Sequence, residues 1–225
     1  MATSPVRQAS LWQPVADAAR VDVAPGAVWL RGHLSLDEQR TLAAEALALL
    51  DGPAGGYVPT VRGGGRMRVR MTALGRHWNA RTYRYVATRE DFDGLPAPPV
   101  PTAWVALATR LAHDAGFTFS PDICIVNEYG ADGRMGAHQD KDEGAASIAE
   151  GQPVVSVSLG ATARFLWGGL RRKEPVETFM LASGDVFVFG GPSRLRFHGV
   201  SRIVPGTAPA DVPLEGRINL TFRRY

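Results

Sequence analysis

The chain has 225 residues, of which 45% are hydrophobic, and a formal net charge of +3. This composition can bury a full core and excludes a mainly disordered chain. No stretch approaches the length of about 18 apolar residues that a membrane span needs, and the N-terminal residues lack the apolar run of a signal peptide. The single cysteine, Cys124, cannot form a disulfide within the chain. We therefore expect a cytoplasmic protein with no membrane contact and a buried thiol.

Two helices are predicted in the first half of the chain. Ser35 and Glu38 have the form of a capping box, in which the serine caps the helix and the glutamate reaches back to it. Leucine and alanine then recur at helical spacing until Gly52 ends the helix. After a stiff proline-rich segment, Thr102 opens a second amphipathic helix that ends at Gly116.

Arginine and aromatic residues alternate between Asp51 and Glu90, a segment without any acidic residue. Guanidinium groups bind phosphates and aromatic rings stack on bases, so the segment predicts a nucleic-acid surface. Because Arg66, Arg68 and Arg70 would share one face of a strand, we expect them to point outward in a row. A general preference of the chain for arginine is the alternative, but it does not explain the missing acids. The segment also contains Tyr57, Arg62, Arg76, Trp78, Arg81, Tyr83, Arg84, Tyr85 and Arg89.

From Asp122 onward the hydrophobic pattern changes to the two-residue period of strands. Short alternating or apolar runs are separated by glycine, proline, aspartate and serine, as in an antiparallel sandwich or barrel. The predicted fold class is therefore mainly β with helices. The runs are PVVSVSLG, ARFLW, ETFML, DVFVFGG, RFHGV and RINLTFRRY.

A candidate metal site begins in the stretch HQDKDE, where His138 and Asp140 are two residues apart. In an extended segment their side chains project to the same side. His198, on a later predicted strand, would complete the set of two histidines and one carboxylate that holds Fe(II) with positions left open. A surface turn for the first pair and a core histidine for the third remain the alternatives. Three histidines lack a carboxylate at a metal spacing: His33, His77 and His113.

The last predicted strand places two arginines, Arg217 and Arg223, on the same face as Asn219 and Thr221. If its apolar face packs against other elements, both arginines point into a barrel, where an unpaired charge is costly. A small dicarboxylate such as 2-oxoglutarate would satisfy them through bidentate hydrogen bonds. The alternative is a solvated edge strand with exposed arginines. Two further polar residues, Asn127 and Tyr129, could add hydrogen bonds.

These residues carry a family resemblance. The stretches NEYGADGRMGAHQDKDE, PVVSVSLGATARFLWGGLRR, SGDVFVFGGPSRLRFHG and RINLTFRR closely resemble the AlkB family of 2-oxoglutarate- and Fe(II)-dependent nucleic-acid demethylases. The match runs almost continuously from about Asp122 to Tyr225, and a looser likeness extends upstream. It implies one continuous domain with a double-stranded β-helix (jelly-roll) core at residues 117–225. Residues 1–116 would supply a helical support and a nucleotide-recognition lid.

The resemblance also implies the residues that bind iron and co-substrate. His138, Asp140 and His198 would be the catalytic metal ligands for Fe(II). The 2-oxoglutarate site would comprise Asn127, Tyr129, Arg217, Asn219 and Arg223.

For the substrate, the resemblance implies that Trp78 and His138 stack a flipped base and that Asp142 faces it. An adenine methylated at N1 or a cytosine methylated at N3 is cationic, so a ring face and a carboxylate both favour it. Lys141 and Glu143 are expected to be solvated turn charges. Further residues of the pocket or of the strand path would be Met67, Tyr83, Arg172 and Ser193.

The implied reaction consumes dioxygen and 2-oxoglutarate, yields succinate and carbon dioxide, and releases the methyl group as formaldehyde. The implied substrate is methylated DNA, with single strands preferred because the base must leave the stack, or RNA, acted on by a monomer. Where a bacterial relative would carry an aromatic residue, this chain has glycines at Gly63–Gly65, which leaves strand preference open. The alternatives are an iron dioxygenase for a small molecule or protein, and a non-catalytic β-barrel binding module.

Overall fold

The structure is a computed structural model that describes residues 19–53 and 55–225. The core of the fold consists of two antiparallel sheets that face each other, with helices on one outer side. The strands are β1 (Arg20–Ala24), β2 (Ala27–Leu30), β3 (Arg70–Leu74), β4 (His77–Asn79), β5 (Arg84–Val86), β6 (Ile123–Tyr129), β7 (Met135–His138), β8 (Val154–Gly160), β9 (Ala163–Trp167), β10 (Glu177–Leu181), β11 (Val186–Phe189), β12 (His198–Ile203) and β13 (Arg217–Arg223). The helices are α1 (Leu36–Asp51), α2 (Thr102–Asp114) and α3 (Ala145–Ala149).

The larger sheet has seven strands in the order β1-β2-β11-β8-β13-β6-β3. It joins strands from both sides of residue 116, because β2 pairs with β11 and β3 pairs with β6. The sequence predicts the later strands, but in the first half it predicts only helices and a lid with one strand through Arg66, Arg68 and Arg70. The proposed division at residue 116 therefore marks no break in the sheet.

The β1–β2 hairpin was missed, although the sequence carries a signal for it. The stretch VDVAPGAVWL alternates around a Pro-Gly pair, which is typical of a tight hairpin. Gly26 in this turn has a φ of 74°, and a Cβ there would lie 2.4 Å from the carbonyl oxygen of Gly190. Only glycine fits such a left-handed position against a neighbouring backbone.

Both predicted helices are present, and α1 and α2 pack on the outer face of the larger sheet. The capping box of α1 is confirmed: the Glu38 amide donates to the Ser35 hydroxyl at 3.2 Å, and the Ser35 amide donates to the Glu38 carboxylate at 2.8 Å. The apolar faces of both helices meet the apolar face of β13, including Leu220 and Phe222. Cys124 is buried in the same core and free, as predicted.

The smaller sheet has four strands in the order β10-β9-β12-β7, and its inner face packs on the larger sheet through aromatic residues. Strands β4 and β5 form a separate two-stranded sheet that pairs with neither. This arrangement confirms a mainly β fold with helices, consistent with a double-stranded β-helix. The segment 55–95 is called the lid; it contains β4 and β5, lines the site described below, and joins the larger sheet through β3.

None of the described helices is long and apolar enough to cross a membrane. The expectation about the N-terminal residues concerns positions 1–18, which lie outside the described residues.

Candidate metal centre and substrate pocket

The smaller sheet brings His138 and His198 together, and Asp140 follows His138 two residues later, just after β7. His138 ends β7 and lies directly opposite His198, the first residue of β12. One ligand atom from each of the three side chains lies within 4.8 Å of the others. The Nδ1 atoms lie 2.9 Å from the Gly136 carbonyl and 3.1 Å from the Arg196 carbonyl, so both Nε2 atoms can face the centre. Two imidazole nitrogens and a carboxylate fit Fe(II).

The charges at this centre favour an ionised Asp140. Burial alone would raise the pKa of its carboxyl group, but Arg223 and the two histidines hold that pKa well below its usual range. Burial lowers the pKa of His198, which favours the neutral ring that a metal ligand needs. Burial would also lower the pKa of His138, but the neighbouring Asp140 outweighs it and the pKa is raised. The Asp140 carboxylate lies between the two imidazoles, 3.4 Å from each Nε2, and this contact accounts for the raised pKa of His138.

A buried ion-pair network surrounds Asp140, and it corrects the expectation that Glu143 is a solvated turn charge. The Glu143 side chain is fully buried and lies 3.0 Å from Arg194 and 3.3 Å from Arg223. Arg223 also lies 2.7 Å from Asp140 and donates to the Tyr85 hydroxyl at 2.5 Å. A carboxylate can be buried here because two guanidinium groups compensate it. No local pattern pointed to Glu143 or Arg194, since their partners come from distant segments, and Tyr85, expected on a nucleic-acid surface, is buried instead.

Arg217 differs from Arg223 because it has no acidic partner among residues 19–53 and 55–225. It donates only to the Leu181 carbonyl and the Ser158 hydroxyl, and its Nε has no partner. Burial lowers the pKa of this guanidinium to about 10. A buried cation without an acid fits a bound carboxylate such as that of 2-oxoglutarate, and Asn127 lines the same inner cavity. The inner cavity here, about 50 Å³, is also lined by Tyr129, Asn219, Thr221 and Arg223.

An outer cavity of about 550 Å³ continues from the inner one, and both contact His138 and Asp140. Trp78 lines it and donates its indole N–H to Asp142 at 2.8 Å. The ring of Tyr83 lies 5.9 Å from that of Trp78. The lid and the smaller sheet thus enclose a pocket with an aromatic face and a fixed carboxylate beside the metal ligands. Two more predicted residues, Met67 and Arg172, also line it.

Ser193 was expected in the pocket or on the strand path, and the structure corrects its position. It lies in the short 3-10 turn Gly191–Ser193, is buried, and does not line the pocket. Its hydroxyl donates to the Pro25 carbonyl at 2.8 Å. Ser193 therefore ties this turn to the β1–β2 hairpin, which the sequence analysis had missed.

The lid arginines do not form the predicted outward row. Arg70 is held by Asp51 at 2.8 Å and by Glu128 at 3.1 Å, so it anchors the lid to β6 instead. Arg89 is buried and paired with Asp93. The side chains of three lid arginines are exposed and make no ion pair or hydrogen bond with the described residues: Arg66, Arg81 and Arg84.

Comparison with known proteins agrees with this geometry. The family model described as the 2OG-Fe(II) oxygenase superfamily matches residues 26–223. The alpha-ketoglutarate-dependent dioxygenase AlkB homolog of Caulobacter vibrioides is 44% identical over 211 residues, which is 92% of this chain and 91% of that protein. The solved structure of OsALKBH1 superimposes with a TM-score of 0.86 at 38% identity, covering 92% of this chain and all of that one.

Plant relatives are longer than this chain. The Arabidopsis thaliana protein named DNA N(6)-methyladenine demethylase ALKBH1C is 41% identical over 224 residues, covering 90% of this chain and 49% of its own length. This chain thus spans about half the length of such relatives. Three findings agree: the superfamily match, the identity to the bacterial protein over nearly its whole length, and the triad formed at the ends of β7 and β12. The chain belongs to the AlkB family of 2-oxoglutarate- and Fe(II)-dependent dioxygenases.

Proposed function

We propose that this protein removes methyl groups oxidatively from N-alkylated bases in DNA, such as 1-methyladenine and 3-methylcytosine. One observation carries the proposal: an indole face and a carboxylate, Trp78 and Asp142, are joined by a hydrogen bond in the same cavity as the metal ligands. A cationic ring is attracted both to an aromatic face and to a carboxylate, whereas a neutral ring gains less from either.

In this proposal His138, Asp140 and His198 hold Fe(II), which supplies the activation of dioxygen coupled to oxidation of 2-oxoglutarate. Arg217 binds one carboxylate of the co-substrate, because it is the buried guanidinium without an acid. Arg223, already paired with Asp140, orients that ligand and the co-substrate together. The remaining polar contacts to the co-substrate would come from Asn127, Tyr129 and Asn219.

The target base is proposed to stack between Trp78 and His138, with its charge facing Asp142. Tyr83, Met67 and Arg172 close the cavity around it. Because a paired base cannot reach the metal, the nucleotide must be extruded, and single strands are the preferred form. We propose that a monomer acts on DNA, with RNA as the alternative substrate.

The test is formaldehyde release from matched oligonucleotides that carry 1-methyladenine, 3-methylcytosine, N6-methyladenine or no methyl group. We expect release from the two cationic bases, and less from the neutral N6-methyladenine that gives the plant relatives their names. Asp142→Asn should reduce the difference in formaldehyde release between the cationic bases and N6-methyladenine. The asparagine oxygen can still accept the hydrogen bond from Trp78, but it carries no charge.

Two other results would contradict the proposal. Metal-dependent release of carbon dioxide from 2-oxoglutarate without formaldehyde from any nucleic acid would favour a hydroxylase for a small molecule or protein. No metal-dependent turnover at all would favour a binding module.

A further inference from the structure

Trp78 belongs to a strand that has little support from the rest of the fold. Its strand β4 pairs only with β5, in a sheet of two strands. An isolated hairpin of two strands is at best marginally stable in water. The hydrogen bond from Trp78 to Asp142 fixes the front of the indole ring, but it does not fix the backbone that carries the ring. The backbone of β4 must therefore be held by residues on the side of the strand that faces away from the cavity.

One carboxylate, that of Asp91, provides this support on both sides of Trp78. Its Oδ1 lies 2.5 Å from Nε2 of His77, and its Oδ2 accepts from the Ala80 amide at 3.3 Å. His77 precedes Trp78, and Ala80 follows it by two positions. The His77 side chain is fully buried and only 5% of the Asp91 side chain is exposed. A pair this well shielded from water is not screened by salt as a surface pair would be.

Tyr57 connects this pair to the larger sheet. Its hydroxyl lies 3.2 Å from the same His77 nitrogen, and its ring stacks on that of Phe92 at 4.6 Å. The backbone of Tyr57 exchanges two hydrogen bonds with Met71 of β3, at 3.0 and 2.8 Å. Burial and the nearby Asp91 raise the pKa of Tyr57, so its hydroxyl stays neutral. A continuous path of contacts thus runs from β3 through Tyr57 and His77 to Asp91.

We infer that His77 and Asp91, anchored by Tyr57, are positioning residues that hold Trp78 at the depth where it meets the target base. They do not touch the cavity, so they act through Trp78. The expected effect on the KM for the oligonucleotide rests on the proposed function, whereas the expected effect on the position of Trp78 does not. In the sequence His77 has no carboxylate at a metal spacing, because its partner Asp91 lies 14 residues further along the chain.

The structural test follows the indole N–H signal of Trp78 by NMR, assigned with Trp78→Phe. His77→Phe keeps a ring of similar size but loses the contact with Asp91. We expect the Trp78 signal to shift and broaden in this variant. The matched control is His33→Phe, which breaks another histidine–aspartate pair, His33 with Asp114 at 2.9 Å, outside the lid. It should leave the Trp78 signal unchanged. An unchanged signal in the His77 variant would overturn the inference.

The kinetic test separates positioning from general destabilisation. In His77→Phe the KM for the methylated oligonucleotide should rise about tenfold to hundredfold, since a displacement near 1 Å has effects of that size, whereas the KM for 2-oxoglutarate should not change. Asp91→Asn, which keeps an oxygen acceptor, should show a smaller rise in the same direction and serves if His77→Phe does not fold. Equal increases in both KM values would contradict positioning of Trp78.

If the unmodified protein releases no formaldehyde from any oligonucleotide, the proposed function fails but the positioning inference does not. The Trp78 signal then decides it alone, because that measurement needs neither metal nor substrate.

Discussion

The sheet core and the lid hold their functional side chains in different ways. In the core, β13 is paired along its length with β6 on one side and β8 on the other, and His138 faces His198 in strand register. In the lid, β4 and β5 pair only with each other; Trp78 is held by its own hydrogen bond to Asp142, and its neighbour His77 is held by Asp91. Backbone pairing thus positions the two histidines of the metal centre, whereas a few side chains position Trp78, the proposed substrate contact.

The two regions also differ in how their charged side chains are paired. Around Asp140 the buried acids and arginines compensate one another, with Arg217 as the exception. On the lid, several arginines are exposed to solvent without acidic partners. Compensated buried charges suit a site that must stay fixed, whereas uncompensated surface charges suit attraction of a polyanion. Substitutions should therefore have larger and more local effects in the core than in the lid.

The largest effect is expected when a core ligand is removed. His198→Ala should abolish turnover and weaken metal binding, measured by titration calorimetry with Fe(II) under anaerobic conditions. Loss of a group that merely orients a ligand costs about 10-fold to 100-fold in metal affinity, so loss of the ligand itself should cost more. His33→Ala, a histidine outside the core centre, is the control. Full activity of His198→Ala at saturating Fe(II) would exclude the assigned triad.

The next largest effect is expected on stability when the two buried arginines of β13 are replaced one at a time. Arg223→Met leaves Asp140 and Glu143 without their shared cation, so the free energy of unfolding should fall by about 3–5 kcal/mol. Arg217→Met removes a buried cation that has no acid, so without co-substrate the loss should stay below about 2 kcal/mol.

Urea unfolding without 2-oxoglutarate measures this contrast, and the KM for 2-oxoglutarate should rise in both variants. Equal losses of stability would mean that Arg217 has a compensating partner in solution. An unchanged KM in both variants would refute the co-substrate assignment for β13.

The difference between the regions also explains how much the sequence predicted. Strand alternation placed Arg217, Asn219, Thr221 and Arg223 on one buried face, and the HxD spacing with a later strand histidine identified a triad that the structure assembles. These features depend on local periodicity. The family resemblance supplied the roles of Trp78 and Asp142, which no local pattern indicates.

Contacts between distant segments could not be predicted in this way. Glu143 looked like one more charge in a turn, because nothing near it indicates that Arg194 and Arg223 fold against it. Arg70 looked like part of an outward row, since Glu128, its partner, belongs to a strand much later in the chain. In both cases the deciding interaction is an ion pair formed only in the tertiary structure.

Substitutions at Tyr83 test whether the backbone of the lid is strained at the residue whose ring lies beside Trp78. It is the one non-glycine residue of the described chain with a positive φ, 55°, and its ring lies beside Trp78. Such a conformation costs a bulky residue about 1–3 kcal/mol. Tyr83→Gly should therefore be more stable than Tyr83→Ala in thermal unfolding. Both variants should raise the KM for the oligonucleotide about twofold to tenfold, as expected for one aromatic contact. Equal stability of the two variants would show that the backbone is not strained.

The smallest effect concerns the exposed lid arginines. Arg66 and Arg84 make no contact with an acid among the described residues, whereas Arg70 is held by Asp51 and Glu128. If the first two contact the backbone of a single strand, each change to Gln should lower the slope of log affinity against log salt by about 0.7. The weakening should be similar for all base sequences, because phosphate contacts carry no sequence information.

Arg70→Gln is the matched control, because it removes the same charge from the same segment. It should leave the salt slope nearly unchanged and lower the free energy of unfolding by about 1 kcal/mol, as expected for partly exposed ion pairs. Fluorescence anisotropy of labelled single strands at several salt concentrations measures all three variants. If Arg66→Gln and Arg84→Gln bind with the affinity and slope of the unmodified protein, the lid arginines are not the contact surface. The pocket would then be better explained by a substrate without a phosphate backbone.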